Sequence, residues 1–171
     1  SVHAITGENG AGKSTLMKLL AGVYQPDAGE LFIDGKLRQL HSPAAARHAG
    51  ISTVFQELTV LPNLSVAENL LLGREPTCFG WLSRSVMQHE ARAVLARIGI
   101  ELAPQRACGS LSIGEQQLVE IAKGVSTDAS VFIFDEPTAA LNRTEVDKLE
   151  ALIGALKAQG KLVFYISHRL D

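Results

Sequence analysis

The sequence is poor in cysteine, in excess charge and in long apolar runs, and each shortage excludes a class of protein. Two cysteines, Cys78 and Cys108, are too few for a disulfide scaffold and lack metal-ligand spacing, so we expect a reducing, cytosolic setting. The 16 basic and 18 acidic residues leave a formal net charge of −2, which gives nucleic-acid binding little electrostatic support. Apolar runs fall far short of the roughly 20 residues of a membrane helix, so any work at a membrane is done from its side.

The chain has enough residues for one globular domain. Its 171 residues are 46% hydrophobic and 20% charged, and they contain neither an internal repeat nor a low-complexity stretch. Apolar strands are predicted very close to both ends. We therefore expect residues 1–171 to be one domain that is truncated at both ends.

Strands and helices alternate along the sequence. Strands are predicted near 2–6, 51–55, 131–134 and 162–166, with helices near 13–22 and between Asn142 and Gly160. The last two strands are continuous apolar runs, which is typical of a parallel sheet covered on both faces. Residues 57–110 contain no convincing strand but carry helix signals. The prediction is an α/β fold, a mostly parallel sheet flanked by helices, with an all-helical insertion at 57–110.

A glycine-rich loop follows the first predicted strand. It fits the pattern G-x-x-x-x-G-K-[ST] with Gly7, Glu8, Asn9, Gly10, Ala11, Gly12, Lys13 and Ser14. The glycines let backbone N–H groups converge on phosphate oxygens, and the helix that follows adds its positive dipole end. Lys13 would reach the β- and γ-phosphates, and the Ser14 hydroxyl would bind Mg²⁺. A chance match in a chain this long occurs about once in 200 sequences, so the loop strongly indicates a nucleotide site.

Four polar residues follow other predicted strands closely, namely Asp135, Glu136, Gln56 and His168. Because the carboxyl ends of parallel strands meet at one edge of a sheet, we expect these side chains to converge. Asp135 is placed to support Mg²⁺, and Glu136 to polarise an attacking water. Gln56 could ligate Mg²⁺ or hold a water. Solvated surface positions are the alternative, above all for Gln56 and His168.

The segment Leu111–Glu115 allows two interpretations. Ser112 and Glu115 form a capping box for a helix that continues to about Gly124. A capped helix start beside Gly114 is also a ready anion site. The residues alone do not decide between a structural cap and a phosphate contact.

Taken in order, these segments resemble the ATP-binding subunit of ABC transporters. The resemblance rests on the phosphate loop, Gln56, the signature segment 111–115, 132–138 and His168, and it covers essentially the whole chain. Finer features are similar to bacterial monosaccharide importers of the ribose, galactose and xylose type, and to the first of their two ATPase halves. These features are the stretches 7–18, 54–58, 65–70, 73–76 and 166–170.

The resemblance implies a P-loop NTPase fold and ATP hydrolysis with Mg²⁺. Glu136 would be the catalytic base, and His168 would hold the γ-phosphate. The nucleotide would be bound by Gly7, Glu8, Asn9, Gly10, Ala11, Gly12, Lys13, Ser14, Thr15, Gln56 and Asp135, and its Mg²⁺ by Ser14, Gln56 and Asp135. When two ATPase domains pair, the γ-phosphate held by the partner domain would be contacted by Ser112, Ile113, Gly114 and Glu115.

The same resemblance implies partners and a location. The chain would pair with a second ATPase domain, in the same polypeptide or in another copy, and drive a transmembrane sugar permease. A periplasmic sugar-binding protein would take part indirectly, and nucleic acid would not be a partner. Residues 57–110 would bear on the permease, with 111–124 as the signature helix. The protein would lie peripherally on the cytoplasmic face of the bacterial inner membrane.

The sequence departs from the wider family in three residues and in one missing part. Ile113 and Glu115 stand where glycine and glutamine are usual, and Asn142 stands where an aspartate is usual. The family stacks adenine on an aromatic residue upstream of the phosphate loop, whereas only six residues precede Gly7 here.

Two other functions stay open. One is a soluble ABC-type ATPase of DNA repair or translation, which the near-neutral charge and the importer-like stretches disfavour. The other is a regulatory module that does not hydrolyse ATP, which the presence of Glu136 and His168 disfavours.

Overall fold

The computed structural model describes residues 1–8, 10–78 and 81–167. Asn9 and His168, both predicted to contact the nucleotide, lie outside these described residues. The chain divides into two compact units. Unit 1 comprises Ser1–Gln56, Thr127–Glu136 and the residues from Ala155 onward, and unit 2 comprises Glu57–Ser126 and Pro137–Gly154.

Strands and helices alternate as the sequence predicted. In chain order the elements are β1 (Val2–Ile5), α1 (Lys13–Leu20), β2 (Leu31–Ile33), β3 (Lys36–Arg38), α2 (Pro43–His48), β4 (Ile51–Val54), α3 (Val66–Leu70), β5 (Thr77–Cys78), β6 (Trp81–Leu82), α4 (Arg84–Arg97), a 3₁₀ turn (Cys108–Ser110), α5 (Ile113–Val125), β7 (Val131–Asp135), α6 (Arg143–Ala158) and β8 (Leu162–Ile166).

Unit 1 is built on a four-stranded parallel sheet in the order β1-β8-β7-β4. From its second residue onward β7 is buried, so its sequence is a continuous apolar run and does not alternate with polar residues. Ile133 of β7 packs with Met17 of α1, Ile51 of β4 and Ile166 of β8 in the core of this unit. The predicted mostly parallel sheet with flanking helices is confirmed.

Unit 2 is mainly helical. Its helix α3 contacts both α4 and α5, and the Asn69 side chain of α3 fixes the loop in front of the helix. The Asn69 amide accepts from the Leu61 N–H at 2.7 Å and donates to the Leu61 and Ser65 carbonyls at 3.0 and 3.1 Å. Because every one of these bonds is local, the turn of chain that leads into α3 is held by a single buried side chain.

The sequence predicted no strand between 57 and 110, whereas the structure has a short antiparallel pair there. The strands β5 and β6 each contain two residues and form their own two-stranded sheet. The all-helical description of this stretch is corrected to that extent. Strands of two residues are too short to leave an alternating pattern, and alternation is the signal on which strand prediction depends.

No membrane-spanning helix is found among residues 1–8, 10–78 and 81–167, since none of their helices combines enough length with enough apolar character.

Candidate nucleotide site

The register of the parallel sheet brings several predicted site residues to one edge. Ile5 of β1 and Asp135 of β7 are both paired with Ile166 of β8. The phosphate loop therefore leaves β1 at the same level at which Glu136 leaves β7. On the other side of β7, Val54 of β4 pairs with Phe134, so Gln56 follows its strand at the level of Glu136.

The phosphate loop connects β1 to α1 through two glycines in the left-handed backbone region. Gly10 has a φ of 86°, and Gly12, which caps α1, has a φ of 85°. A side chain would strain the backbone at either position, although nothing described lies within 4 Å of where its Cβ would be. These glycines are required by conformation, and the turn they allow leads the chain from the sheet directly into the helix.

The start of α1 has no side-chain cap among the described residues and no acidic residue in its first turn. The first N–H groups of a helix need partners from outside it, and an anion at this position satisfies them while interacting with the helix dipole. Ser14 and Thr15 are exposed in this first turn. The donors, the dipole and the exposed hydroxyls fit a phosphate group.

Lys13 is held against the loop that it follows. Its ammonium Nζ donates to the carbonyl oxygens of Gly7 at 2.7 Å and of Glu8 at 3.0 Å. The side chain therefore folds back over the start of the loop, with its charge against two carbonyl oxygens of the loop. The motif did not predict these two carbonyl contacts, and the contact of Lys13 with the β- and γ-phosphates stays a prediction.

Asp135 ends β7 with its side chain buried, at 8% exposure. Burial raises the pKa of this carboxyl, and the neighbouring Glu136 carboxylate raises it further, while the ammonium groups of Lys13 and Lys18 act in the opposite direction. The influence of Lys13 shows that the acidic strand end and the phosphate loop share one electrostatic environment. A cation near Asp135 would relieve the repulsion between the two carboxylates.

Glu136 has a strained backbone. Its φ of 48° lies in the left-handed region, which only one other described non-glycine residue, Asp34, occupies. The Glu136 N–H donates to the Ile166 carbonyl at 3.1 Å, which anchors the residue to the neighbouring strand β8. Strain of this kind costs about 1–3 kcal/mol and concentrates at functional sites, so this conformation supports a specific role for Glu136.

The side chains predicted to bind Mg²⁺ all offer oxygen atoms. Ser14 offers a hydroxyl, Gln56 an amide carbonyl and Asp135 a carboxylate, and Gln56 is exposed beyond the end of β4. Hard cations prefer oxygen, and Mg²⁺ is usually held by one or two carboxylates together with the phosphates of a substrate. The residues present therefore fit a Mg²⁺ ion that is bound together with a nucleotide.

The signature segment lies in unit 2, at the start of α5. The Ser112 Oγ accepts from the Glu115 N–H at 3.1 Å, and the Glu115 carboxylate accepts from the Ser112 N–H at 2.8 Å. This bond lowers the pKa of Glu115, and Arg106, 3.1 Å away, lowers it further. The predicted capping box is confirmed. The Ile113 side chain next to it is 59% exposed, which is unusual for so large an apolar group.

Two contacts of the signature segment were not found by sequence reasoning. Arg106 donates from Nη1 to Glu115 and from Nη2 to the Ser110 carbonyl at 2.9 Å, which braces the turn before α5. Glu145 lies so close to Gly114 that a Cβ built on the glycine would be 2.5 Å from its Oε2. Neither contact has a sequence signal, because each joins residues from separate segments of the chain.

Comparison with known proteins gives the family of the chain. Residues 1–139 match the family described as "ABC transporter". The chain is 52% identical over 171 residues to the ribose import ATP-binding protein RbsA of Chromobacterium violaceum. It is 48% identical over 170 residues to the arabinose import ATP-binding protein AraG 1 of Burkholderia cenocepacia. Each alignment covers 99% of this chain but 34% of the relative, so the chain spans about a third of the length of these relatives.

Solved structures agree with the fold. A nucleotide-free ATP-binding cassette from an ABC transporter superposes with a TM-score of 0.83 at 29% identity, covering 99% of this chain and 71% of that one. A dimeric ATP-binding cassette in a post-hydrolysis state, bound to ADP and Pi, gives a TM-score of 0.81 at 26% identity, covering 99% and 75%. The fold is that of a P-loop ATP-binding cassette. On its motifs, fold and sequence identity, the chain belongs to the ABC transporter family.

Proposed function

We propose that this chain is the ATP-binding and ATP-hydrolysing part of a protein that powers the import of a monosaccharide through a separate membrane permease. The observation that carries the proposal is the sheet edge at which the Lys13 loop and the acidic pair Asp135 and Glu136 emerge at one level. The chain is about 50% identical to ribose and arabinose import ATP-binding proteins, which supports a monosaccharide as the imported substrate.

The phosphate loop would bind the triphosphate. Backbone N–H groups of Gly10, Gly12 and the first turn of α1 would face its oxygens, and the Lys13 ammonium would neutralise the β- and γ-phosphates. Ser14 and Thr15 would add their exposed hydroxyls. Gly10 and Gly12 already have the positive φ of the turn, which supports affinity, because less of the backbone has to be ordered on binding.

The acidic strand end would carry out the chemistry. Glu136 would accept a proton from the attacking water, and the strained backbone at this residue supports a specific role for it. Mg²⁺, held by Ser14, Gln56 and Asp135, neutralises charge on the phosphates when bound. His168, beyond the described residues, would hold the γ-phosphate. These assignments come from the match to the family's motifs, and the register of the sheet supports those of Gln56, Asp135 and Glu136.

A second ATPase domain would complete each site. We propose that Ser112, Ile113, Gly114 and Glu115 contact the γ-phosphate bound by that domain. The N–H groups of Ile113 and Gly114 lie in the first turn of α5, between the two groups of the capping box. A similar solved cassette is described as dimeric with bound ADP and Pi, which supports pairing of such domains.

The other proposed partners are those that a sugar importer needs. A membrane permease would carry the sugar, with residues 57–110 bearing on it, and a periplasmic sugar-binding protein would deliver the sugar. The chain would then lie peripherally on the cytoplasmic face of the inner membrane. The importer names of the relatives support both statements.

Hydrolysis is tested by phosphate release from the full-length protein that carries this sequence. The Glu136→Gln variant should lose at least about 100-fold in kcat while it still binds MgATP, because it keeps the phosphate loop and loses the base. Glu30→Gln, which changes an exposed acid elsewhere in unit 1, is the control and should hydrolyse normally. Equal activity of the Glu136→Gln variant would refute the assignment of the base.

Transport is tested separately, by uptake of labelled ribose, arabinose, galactose and xylose in cells that make the protein with or without Glu136→Gln. Uptake of one sugar that depends on Glu136 is the expected result. Hydrolysis by the purified protein without effect on the uptake of any sugar would favour a soluble ATPase with another role.

A further inference from the structure

Gly114, in the first turn of the signature helix, is a glycine that its own backbone does not require. The residue lies inside α5 and is absent from the described glycines that have a positive φ. In an ordinary helical conformation alanine is preferred to glycine by up to about 1 kcal/mol. A glycine at this position therefore needs an explanation in its surroundings.

The surroundings of Gly114 are the carboxylate of Glu145. A Cβ added to Gly114 would lie 2.5 Å from Glu145 Oε2, 2.9 Å from Oε1 and 3.0 Å from the carboxyl carbon. Real Cβ atoms are not found at such distances, so either the carboxylate or the helix would have to move. The space that alanine would fill is occupied by the planar end of an acidic side chain.

A hydrogen bond holds the Glu145 carboxylate in this place. Its Oε2 accepts from the Asn142 N–H at 2.8 Å, and the Glu145 N–H donates to Asn142 Oδ1 at 3.0 Å. This reciprocal pair is the capping box of α6 and ties the carboxylate to the loop that follows the acidic strand. Rotation of Glu145 away from Gly114 would break this cap.

A carboxylate beside the start of α5 is also favourable electrostatically. The positive end of a helix dipole stabilises a nearby negative charge. Glu145 lies within the first turn of its own helix α6 and against the first turn of α5, so one carboxylate lies against the N-terminal ends of two helices. It joins the loop at 137–142 to the signature turn.

We propose that Glu145 is a positioning residue for ATP hydrolysis, whose carboxylate packs on Gly114 and sets the place of the signature turn relative to the loop 137–142. On this proposal Gly114 is small because of Glu145, and not because a phosphate must come close. The proposal rests on the proposed function, in which the signature turn contacts a nucleotide held by a second ATPase domain.

The test is a double-substitution cycle in the full-length protein, read out as kcat for ATP hydrolysis, MgATP affinity and the temperature of unfolding. Gly114→Ala should lower kcat by about 10- to 100-fold, since a displacement near 1 Å has effects of this size. MgATP affinity should stay within about twofold, because the phosphate loop is not altered. Gly154→Ala, which adds a Cβ to an exposed helical glycine with nothing described within 4 Å, is the matched control and should leave kcat unchanged.

Rescue separates the two explanations of Gly114. Glu145→Ala alone should lower kcat about two- to fivefold, and Glu145→Gln, which keeps the length of the side chain, should stay near the unaltered value. Gly114→Ala combined with Glu145→Ala should recover to within about threefold of Glu145→Ala alone. A double variant as impaired as Gly114→Ala would overturn the proposal, as would normal activity of Gly114→Ala.

Two further measurements test whether the rescue is specific to Glu145 and whether it depends on catalysis. Glu68→Ala removes the equivalent carboxylate of the capping box on α3, where Glu68 accepts from the Ser65 N–H at 2.8 Å, and should not rescue Gly114→Ala. The unfolding temperature should fall in Gly114→Ala and recover in the double variant, whether or not the protein hydrolyses ATP. If the unaltered protein lacked ATPase activity, the proposed function would fail. The unfolding temperatures of the same variants would still show whether the Glu145 carboxylate packs on Gly114.

Discussion

The two helix starts that carry the proposed phosphate contacts are built in opposite ways. α1 begins after Gly12, which is in the left-handed region, and has no side-chain cap among the described residues. α5 begins after Ser112, whose hydroxyl and N–H are both paired with Glu115. The N–H groups of α1 are therefore available to a ligand, whereas α5 has already paired part of its donors internally.

Glycine is required for a different physical reason at the start of each helix. Gly12 has a φ of 85° and open space where a Cβ would be, so its backbone requires glycine. Gly114 has an ordinary helical backbone and a carboxylate where a Cβ would be, so its neighbour requires glycine. A backbone requirement cannot be relieved by a second substitution, and a steric one can. The predictions below test this contrast from both sides.

The largest effect is expected at Lys13. Lys13→Ala should weaken MgATP binding at least about 100-fold, because the ammonium that we propose to face the phosphates is removed from the loop. Titration calorimetry of the full-length protein measures it. Lys18→Ala removes the same charge from the last turn of the same helix and is the control, with binding expected within about threefold. Equal losses in both variants would point to net charge and not to the loop.

A conformational loss is expected at Gly12. Gly12→Ala should lower the free energy of unfolding by about 1–2 kcal/mol, because an L-residue is strained at this φ. Gly12→Asn should lose less, since asparagine tolerates the left-handed region better. Urea unfolding checks both variants. Recovery of Gly12→Ala on adding Glu145→Ala would contradict the distinction between the two glycines.

The cap of α5 should make a smaller contribution. Ser112→Ala should lower the free energy of unfolding by about 1 kcal/mol, and Ser65→Ala, which removes the same kind of cap from α3, should have a similar effect. The Glu115 half of the cap depends on pH. Since the pKa of Glu115 is lowered on folding, its stabilisation is present above its ordinary pKa and is lost as pH falls through the folded value. A Glu115→Gln loss that is the same at pH 7 and at pH 3 would argue against this coupling.

The smallest change in stability is expected at Asp135, where the substitution should stabilise the protein and not destabilise it. Burial raises the pKa of Asp135 on folding, so its charged form opposes folding above the folded pKa. Asp135→Asn should therefore unfold at a higher temperature than the unaltered protein at pH 7, and the two should converge at acid pH, where Asp135 is protonated in both states. The same variant should lose ATPase activity. A gain in stability with a loss of activity is expected where a buried charge is kept for function. A lower unfolding temperature at pH 7 would contradict this prediction.

Much of the fold could be predicted because the main strands are recognisable from local sequence. The runs at 131–134 and 162–166 are apolar on both faces, and the strands found differ from the prediction by at most one residue at an end. β5 and β6 could not be predicted, because two residues carry no periodicity. The division into two compact units also had no local signal, since unit 2 joins residues 57–126 with 137–154.

The phosphate loop was predicted for a physical reason that is local. A turn from a strand into a helix that leaves its N–H groups available needs particular glycines within a few residues, and Gly10 and Gly12 have the positive φ that such a turn requires. The contact between Glu145 and Gly114 involves two residues about thirty positions apart, and no spacing rule links them. Arg106 and Glu115 are separated by a turn and a helix start, and their ion pair depends on how that turn folds.

By itself the sequence determined the elements whose causes lie within a few residues, namely the apolar strands, the capping boxes and the glycine turn that begins α1. Only the tertiary structure decided the register that brings Glu136 to the level of the loop, the burial that raises the pKa of Asp135, and the carboxylate that excludes a side chain at Gly114. The reason is that backbone preference and capping depend on neighbours along the chain. Burial, charge proximity and close packing depend on neighbours in space.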